Sequence, residues 1–205
     1  MKNVIFTQRV DVIESYQERR DCADQRISTF ILECGFMPVP LPNTFGRETL
    51  EGFVAMLDPA GIILTGGNSL VKYGGNAPER DATETALMDL AKSKRLPVYG
   101  FCRGMQFILD YFGQDLRNVP GHVAVRHILD DGREVNSYHN QACVSLKGNE
   151  LEVLTRANDG VIESVRHRTL PVLGTMWHPE REKVFVAEDV HALRTLFDTK
   201  ELMYK

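Results

Sequence analysis

The sequence predicts an α/β fold, a doubly wound and mostly parallel central sheet with helices on both faces and an antiparallel strand extension. Apolar strand-like runs alternate with amphipathic helical patterns through the first half of the chain. Short strand-like segments separated by Asp130-Asp131-Gly132, Lys147-Gly148-Asn149 and Asn158-Asp159-Gly160 fill the second half. Between the two, the run Val98-Tyr99-Gly100-Phe101 stops at a glycine-flanked cysteine, Cys102, and a helical pattern departs from it at once.

Taken in order, residues 3–7 read as the first strand, and Gln8-Arg9 begins a polar loop to about Asp21. A helix follows with Ala23, Ile27, Phe30, Ile31 and Leu32 on its apolar side, stopped by Gly35. Residues 36–41 form a strand whose prolines, Pro38 and Pro40, place it near a sheet edge. A helix over 47–57 leads to a strand over 61–65, then Gly66-Gly67-Asn68 and a polar loop reaching Pro78. Residues 81–94 read as a helix burying Ala82, Ala86, Leu87, Leu90 and Ala91. The strand before Cys102 and the helix carrying Met105, Phe107, Ile108, Leu109, Tyr111 and Phe112 complete the β-α repeat. Strands are expected at 122–128, 133–138, 142–146, 151–155 and 161–166, mostly antiparallel, extending or covering the main sheet. Residues 172–176 return to the core and 188–198 close the chain as a helix. The pattern is that of a flavodoxin-like sheet in a single domain over residues 1–205.

Composition excludes several classes of function. A formal net charge of −4 with no basic face argues against nonspecific nucleic-acid binding. No apolar run approaches the ~20 residues that span a bilayer, and the first residues lack a signal peptide's apolar core. Cys22, Cys34, Cys102 and Cys143 form no CxxC pair, which reads as reduced thiols in a cytoplasmic protein. Three are then structural and one is a candidate nucleophile.

That candidate is Cys102. A strand turning sharply into a helix on one flanked residue holds a side chain in a strained, exposed position. The helix N-terminus there favours a thiolate. A buried cysteine beside a turn is the plainer reading of such a residue alone. His178-Pro179-Glu180 supplies an imidazole base with a carboxylate to orient it, and a polar surface turn is its plainer reading. Gly66-Gly67 can turn backbone N–H groups toward an oxyanion, and the Arg103 amide is a second donor. Val135-Asn136-Ser137-Tyr138-His139-Asn140-Gln141 ends a strand in polar groups, with the Ser137 hydroxyl a substrate contact and His139 a rival base. Arg9, Arg80, Arg103 and Arg181 either crowd a pocket mouth to suit a phosphate or carboxylate, or make structural ion pairs. His122, His127, His167 and His191 lack metal-ligand spacing and take no role.

Thr7-Gln8-Arg9, Leu64-Thr65-Gly66-Gly67-Asn68, Pro78-Glu79-Arg80-Asp81, Gly100-Phe101-Cys102-Arg103-Gly104-Met105-Gln106, Gly121-His122-Val123, the 135–141 segment and Met176-Trp177-His178-Pro179-Glu180-Arg181-Glu182 together carry a resemblance. The chain resembles the class I glutamine amidotransferase family, in its free-standing γ-glutamyl hydrolase branch, over nearly its whole length. The resemblance implies Cys102 as nucleophile, His178 as base, Glu180 as its orienting carboxylate, and Gly67 and Arg103 amides as the oxyanion hole. It also implies that Gln106 and the Ser137-Tyr138-His139 segment recognise the glutamyl α-amino and α-carboxylate groups. Gly66, Asn68, Arg9 and Arg80 join the substrate-binding set. Two residues depart from the pattern: Phe101 replaces a smaller aliphatic residue, and Ser69 stands where relatives often carry aspartate.

The expected substrate is a small γ-glutamyl amide, with no cofactor and no metal in the logic. Phosphoramidate, γ-aminobutyrate and ammonia are the leaving groups left open. Ammonia would bring in a separate synthetase as partner. A homodimer is the other assembly left open.

Overall fold

The computed structural model describes residues 1–199. Its elements run β1 (Asn3–Thr7), β2 (Arg9–Ile13), β3 (Glu18–Cys22), α1 (Gln25–Glu33), β4 (Met37–Leu41), α2 (Arg47–Leu57), β5 (Gly61–Leu64) and α3 (Pro78–Lys94). Then follow β6 (Val98–Phe101), α4 (Arg103–Tyr111), β7 (Arg117–Asn118), β8 (Val123–Ile128), β9 (Glu134–Tyr138) and β10 (Gln141–Ala142). The last are β11 (Leu151–Arg156), β12 (Ile162–His167), β13 (Val172–Thr175) and α5 (Ala187–Thr199).

Seven strands form the central sheet in the order β11-β12-β13-β6-β5-β1-β4. The five from β13 to β4 run parallel, and β12 and β11 add the antiparallel extension. The proline-bearing β4 lies at one edge, where a missing N–H costs no ladder bond.

Strand periodicity builds two cores. Ile5, Ile62, Leu64 and Val98 face one side and pack with Leu50 and Val54 of α2, Leu87 of α3 and Ile108 of α4. Val4, Phe6, Ile63 and Tyr99 face the other, with Ile27 and Phe30 of α1 and Leu193 and Phe197 of α5. Successive side chains of an extended strand point to opposite faces, so every fully buried parallel strand must be apolar along its whole length.

Several expectations are corrected at the periphery. The polar stretch from residue 8 to 21 is the hairpin β2–β3, paired from Arg9↔Cys22 to Ile13↔Glu18. Its strand Glu18–Cys22 is almost wholly exposed, so no apolar alternation marks it. Helix α3 starts at Pro78, a proline at its first position, three residues before the periodic pattern becomes visible. Leu32 is exposed rather than buried. The strand expected over 142–146 shrinks to the two-residue β10, paired with β7. Strands β8 and β9 form their own ribbon outside the main sheet. Among the described residues, no helix is long and apolar enough to cross a membrane.

Candidate active site

Adjacent parallel strands β13, β6 and β5 end side by side, and the residues that follow them meet there. Trp177-His178 lies beyond β13, Cys102 follows β6, and Thr65-Gly66-Gly67 follows β5. This is the carboxyl edge of an open α/β sheet, where ligands bind.

Cys102 sits at the start of α4 with φ 51° and ψ −109°. A positive φ on a non-glycine residue costs about 1–3 kcal/mol and persists only where neighbours enforce it. Here they do. The Cys102 amide donates to the Thr175 carbonyl at 2.8 Å, and its carbonyl accepts from the Gln106 amide at 3.0 Å. Glycine is required on both sides because a Cβ at Gly104 would lie 1.9 Å from the Leu64 carbonyl oxygen. One at Gly100 would lie 2.6 Å from the Ile108 side chain. Cys102 keeps 8% exposure and lines a cavity. All four cysteines are free thiols. Burial pushes the Cys34 thiol up to about 12, so that residue stays protonated and inert.

His178 faces Cys102 on one side and Glu180 on the other. Its Nδ1 is 2.7 Å from Glu180 Oε1, and both residues are buried. Burial pulls the His178 pKa down, but charge and hydrogen bonding from Cys102, and then Glu180, raise it further, from 6.5 to about 9. Asn136 in β9 fixes the backbone of this residue. It accepts from the His178 amide at 2.9 Å and donates to the His178 carbonyl at 2.8 Å. Phe101 and Tyr138 meet the imidazole edge-on, with ring centroids 5.6 and 5.7 Å away.

A histidine raised in the folded state stabilises most where the unfolded form is also protonated. The His178 contribution is therefore full below pH 6.5 and lost as the pH rises through about 9. Urea unfolding of wild type and His178→Gln should show a stability gap that narrows over this window. A pH-independent gap would contradict the pairing.

The glycine loop is held from beneath. Arg80 Nη1 donates to the carbonyls of Gly66 and Gly67, both at 3.0 Å, and Nη2 to that of Thr65 at 2.6 Å. With its carbonyls drawn to one cation, this turn can present N–H groups to the opposite side. Gly67 has φ +84°, which favours glycine, and a Cβ at Gly66 would lie 2.7 Å from His178 Cε1. Asn68 closes the loop by exchanging side-chain hydrogen bonds with the Val10 amide and carbonyl.

Four substrate assignments change. Arg80 is fully buried and bonded to Glu84, so it positions the glycine loop and cannot reach a ligand at a pocket mouth. The Arg103 guanidinium is likewise withdrawn into pairs with Glu84 and Asp81, leaving its backbone at the helix start as the relevant group. The Ser137 hydroxyl is buried and donates to the His122 carbonyl at 2.8 Å, so it is committed to the fold. The His139 ring is buried against Glu163, 3.3 Å away, rather than against Cys102.

Two cavities share Gly67, His178 and Arg181. One, about 310 Å³, is lined by Cys102, Gln106, Tyr138 and Asn140. Gln106 is steadied there by donating to the Gln141 carbonyl at 2.7 Å. The other, about 290 Å³, is lined by Arg9, Asp24, Phe101 and Glu180. Phe101 thus forms part of a pocket wall, as its size implies. Arg9 and Arg181 remain exposed at these cavities, Arg181 lying over the Tyr138 ring at 4.5 Å. The reading from sequence missed Asn136 and Glu84. An amide within an otherwise strand-like run marks the first, and an Arg–Glu pair four residues apart on a buried helix face marks the second.

This sheet and its cysteine-bearing edge define a class I glutamine amidotransferase fold. A GMP synthase component from Thermoplasma acidophilum superposes with a TM-score of 0.70, covering 98% of this chain and 96% of its own at 17% identity. The peptidase C26 family model matches residues 5–118 and 109–180, and the chain belongs to that family. It is 30% identical over 184 residues to γ-glutamyl-CDP-amidate hydrolase of Campylobacter jejuni, covering 86% of this chain and 89% of the relative. It is 27% identical over 227 residues to a γ-glutamyl-γ-aminobutyrate hydrolase of Escherichia coli O157:H7, covering 88% of each.

Proposed function

We propose that the protein is a γ-glutamyl amide hydrolase using Cys102, His178 and Glu180. The supporting observation is a thiol at a strained helix start, facing an imidazole whose other nitrogen is 2.7 Å from a buried carboxylate. The Cys102 sulfur attacks the γ-carbonyl carbon, and the amides of Gly67 and Arg103 hold the oxyanion. Losing one such donor costs about 3 kcal/mol of transition-state stabilisation. His178 passes its proton to the leaving nitrogen, the C–N bond breaks, and a glutamyl thioester remains. Water then attacks the thioester while His178 takes its proton, the C–S bond breaks, and glutamate leaves. Gln106 and the backbone around Tyr138 and His139 receive the glutamyl end.

The leaving group assigned is the nucleotide phosphoramidate of γ-glutamyl-CDP-amidate, giving cytidine diphosphoramidate and glutamate. Arg9 and Arg181 support it, since exposed guanidiniums at the cavity suit phosphate oxygens. The similarity to the Campylobacter jejuni hydrolase supports it as well. Release of γ-aminobutyrate is the second reading, favoured by the Escherichia coli relative. Ammonia delivery to a synthetase is the third, favoured by the structural likeness to the GMP synthase component.

The test compares glutamate release from glutamine, γ-glutamyl-γ-aminobutyrate and γ-glutamyl-CDP-amidate by the isolated protein. The expected order puts the nucleotide substrate first, and Arg181→Ala should raise its KM about 10-fold, a loss of about 1.4 kcal/mol. No glutamate from any of the three would overturn the hydrolase reading. Gly66→Ala should lower kcat about 100-fold, because the added methyl displaces the imidazole from a geometry where about 1 Å matters. Unchanged kcat would show that the ring position is not critical.

A further inference from the structure

Between the β8–β9 ribbon and β12, side chains from four separate segments converge outside the catalytic cluster. His122 lies just before β8, His127 within it, His139 just after β9, and Glu163 in β12. The His122 ring is 4.2 Å from that of His127 and 4.8 Å from that of His139, centroid to centroid. Glu163 Oε1 is 3.5 Å from His122 Nδ1 and 3.3 Å from His139 Nε2. His122, His139 and Glu163 are all buried, with Glu163 at 0% exposure.

Six polar atoms here lack any hydrogen bond: His122 Nδ1, His127 Nε2, both nitrogens of His139 and both oxygens of Glu163. Buried polar groups are almost always satisfied, so this many in one place calls for a common partner. The separations fit a cation. Zinc bonds of about 2.0–2.1 Å put neighbouring tetrahedral ligands about 3.4 Å apart, close to the two distances from Glu163. His122, His127 and Glu163 each offer one ligand atom, and these lie within 4.8 Å of one another. Behind them, His122 Nε2 is 2.7 Å from Asp159 Oδ2. A carboxylate there fixes the tautomer with its proton on Nε2 and leaves the Nδ1 lone pair aimed at the centre, the usual arrangement for a metal-bound histidine.

We propose that His122, His127, Glu163 and His139 form a structural site for a divalent transition metal of the imidazole-preferring kind, zinc foremost. The ligand set is closed, and its role is to fasten the ribbon to the main sheet. A two-stranded ribbon alone is marginally stable. This one carries Asn136, which holds His178, and Tyr138, which lines the cavity beside Cys102. The proposal is independent of the substrate chemistry, and its test reads metal rather than turnover.

The experiment equilibrates the purified protein with zinc, removes excess, and measures bound metal by elemental analysis, with cobalt as a spectroscopic substitute. About one equivalent per chain is expected in wild type and in Cys102→Ala, with tetrahedral cobalt absorption in the visible and a Tm that falls on chelation. Glu163→Gln and His127→Gln should bind no stoichiometric zinc. The half-exposed Asp159→Asn leaves the ligands in place and should weaken affinity roughly 10- to 100-fold while remaining folded by circular dichroism. A wild-type chain without stoichiometric metal, loss of the metal in Cys102→Ala, or undiminished zinc in His127→Gln and Asp159→Asn would each overturn the proposal.

Discussion

Cys102→Ala is expected to lower glutamate release by roughly 10⁴-fold or more, with KM little changed and the fold intact. Nucleophile removal in covalent catalysis leaves only binding and oxyanion stabilisation, and the loss is of this order. The substitution removes a single sulfur from a cavity wall, so no core void forms. The same variant should accumulate no glutamyl adduct by mass when acid-quenched with substrate, whereas wild type should show the thioester. Activity within 10-fold of wild type, roughly 1.4 kcal/mol of the barrier, would remove Cys102 from the mechanism.

Glu84→Gln is expected to cost about 3–5 kcal/mol of stability, the range for breaking a buried ion pair from one side. Glu84 is fully buried, accepts from Arg80 Nε at 3.0 Å and from Thr7 Oγ1 at 2.8 Å, and pairs with Arg103. Burial, followed by the charge of Arg103, already pulls Arg80 down to about 10, with Glu84 the main opposing influence. Removing this carboxylate leaves two buried guanidiniums facing each other with Asp81 as the remaining acid. Because Arg80 carries the carbonyls of the glycine loop, turnover should fall with stability. Urea denaturation reads the first effect as a lower midpoint at unchanged slope. A loss under about 1 kcal/mol, the range of exposed pairs, would mean that the cluster is screened by solvent.

The central sheet was legible because buried parallel strands must be apolar throughout, and Val4–Phe6, Ile62–Leu64 and Val98–Phe101 announce themselves that way. The cysteine turn was legible for a different reason. Only glycine permits the approach of Gly104 to the Leu64 carbonyl, so the flanking glycines carry geometric information. The hairpin β2–β3 was not, since exposed strands held by pairing alone need no apolar pattern. Nor were the fates of the arginines. Arg80 and Arg9 look alike in sequence, yet one is sealed beneath the glycine loop and the other stands at a cavity.

By itself the sequence determined the α/β class, the strand-to-helix turn at Cys102, and the residue types able to attack, relay a proton and hold an oxyanion. Each of these is written in local periodicity or in the steric demands of one turn. Only the tertiary structure decided which charges are spent on the scaffold and which face a ligand. It alone brought Asn136 to the His178 backbone and gathered three histidines around Glu163. Such contacts join segments far apart in the chain, and no short-range pattern encodes a distance that only the packing of the sheet creates.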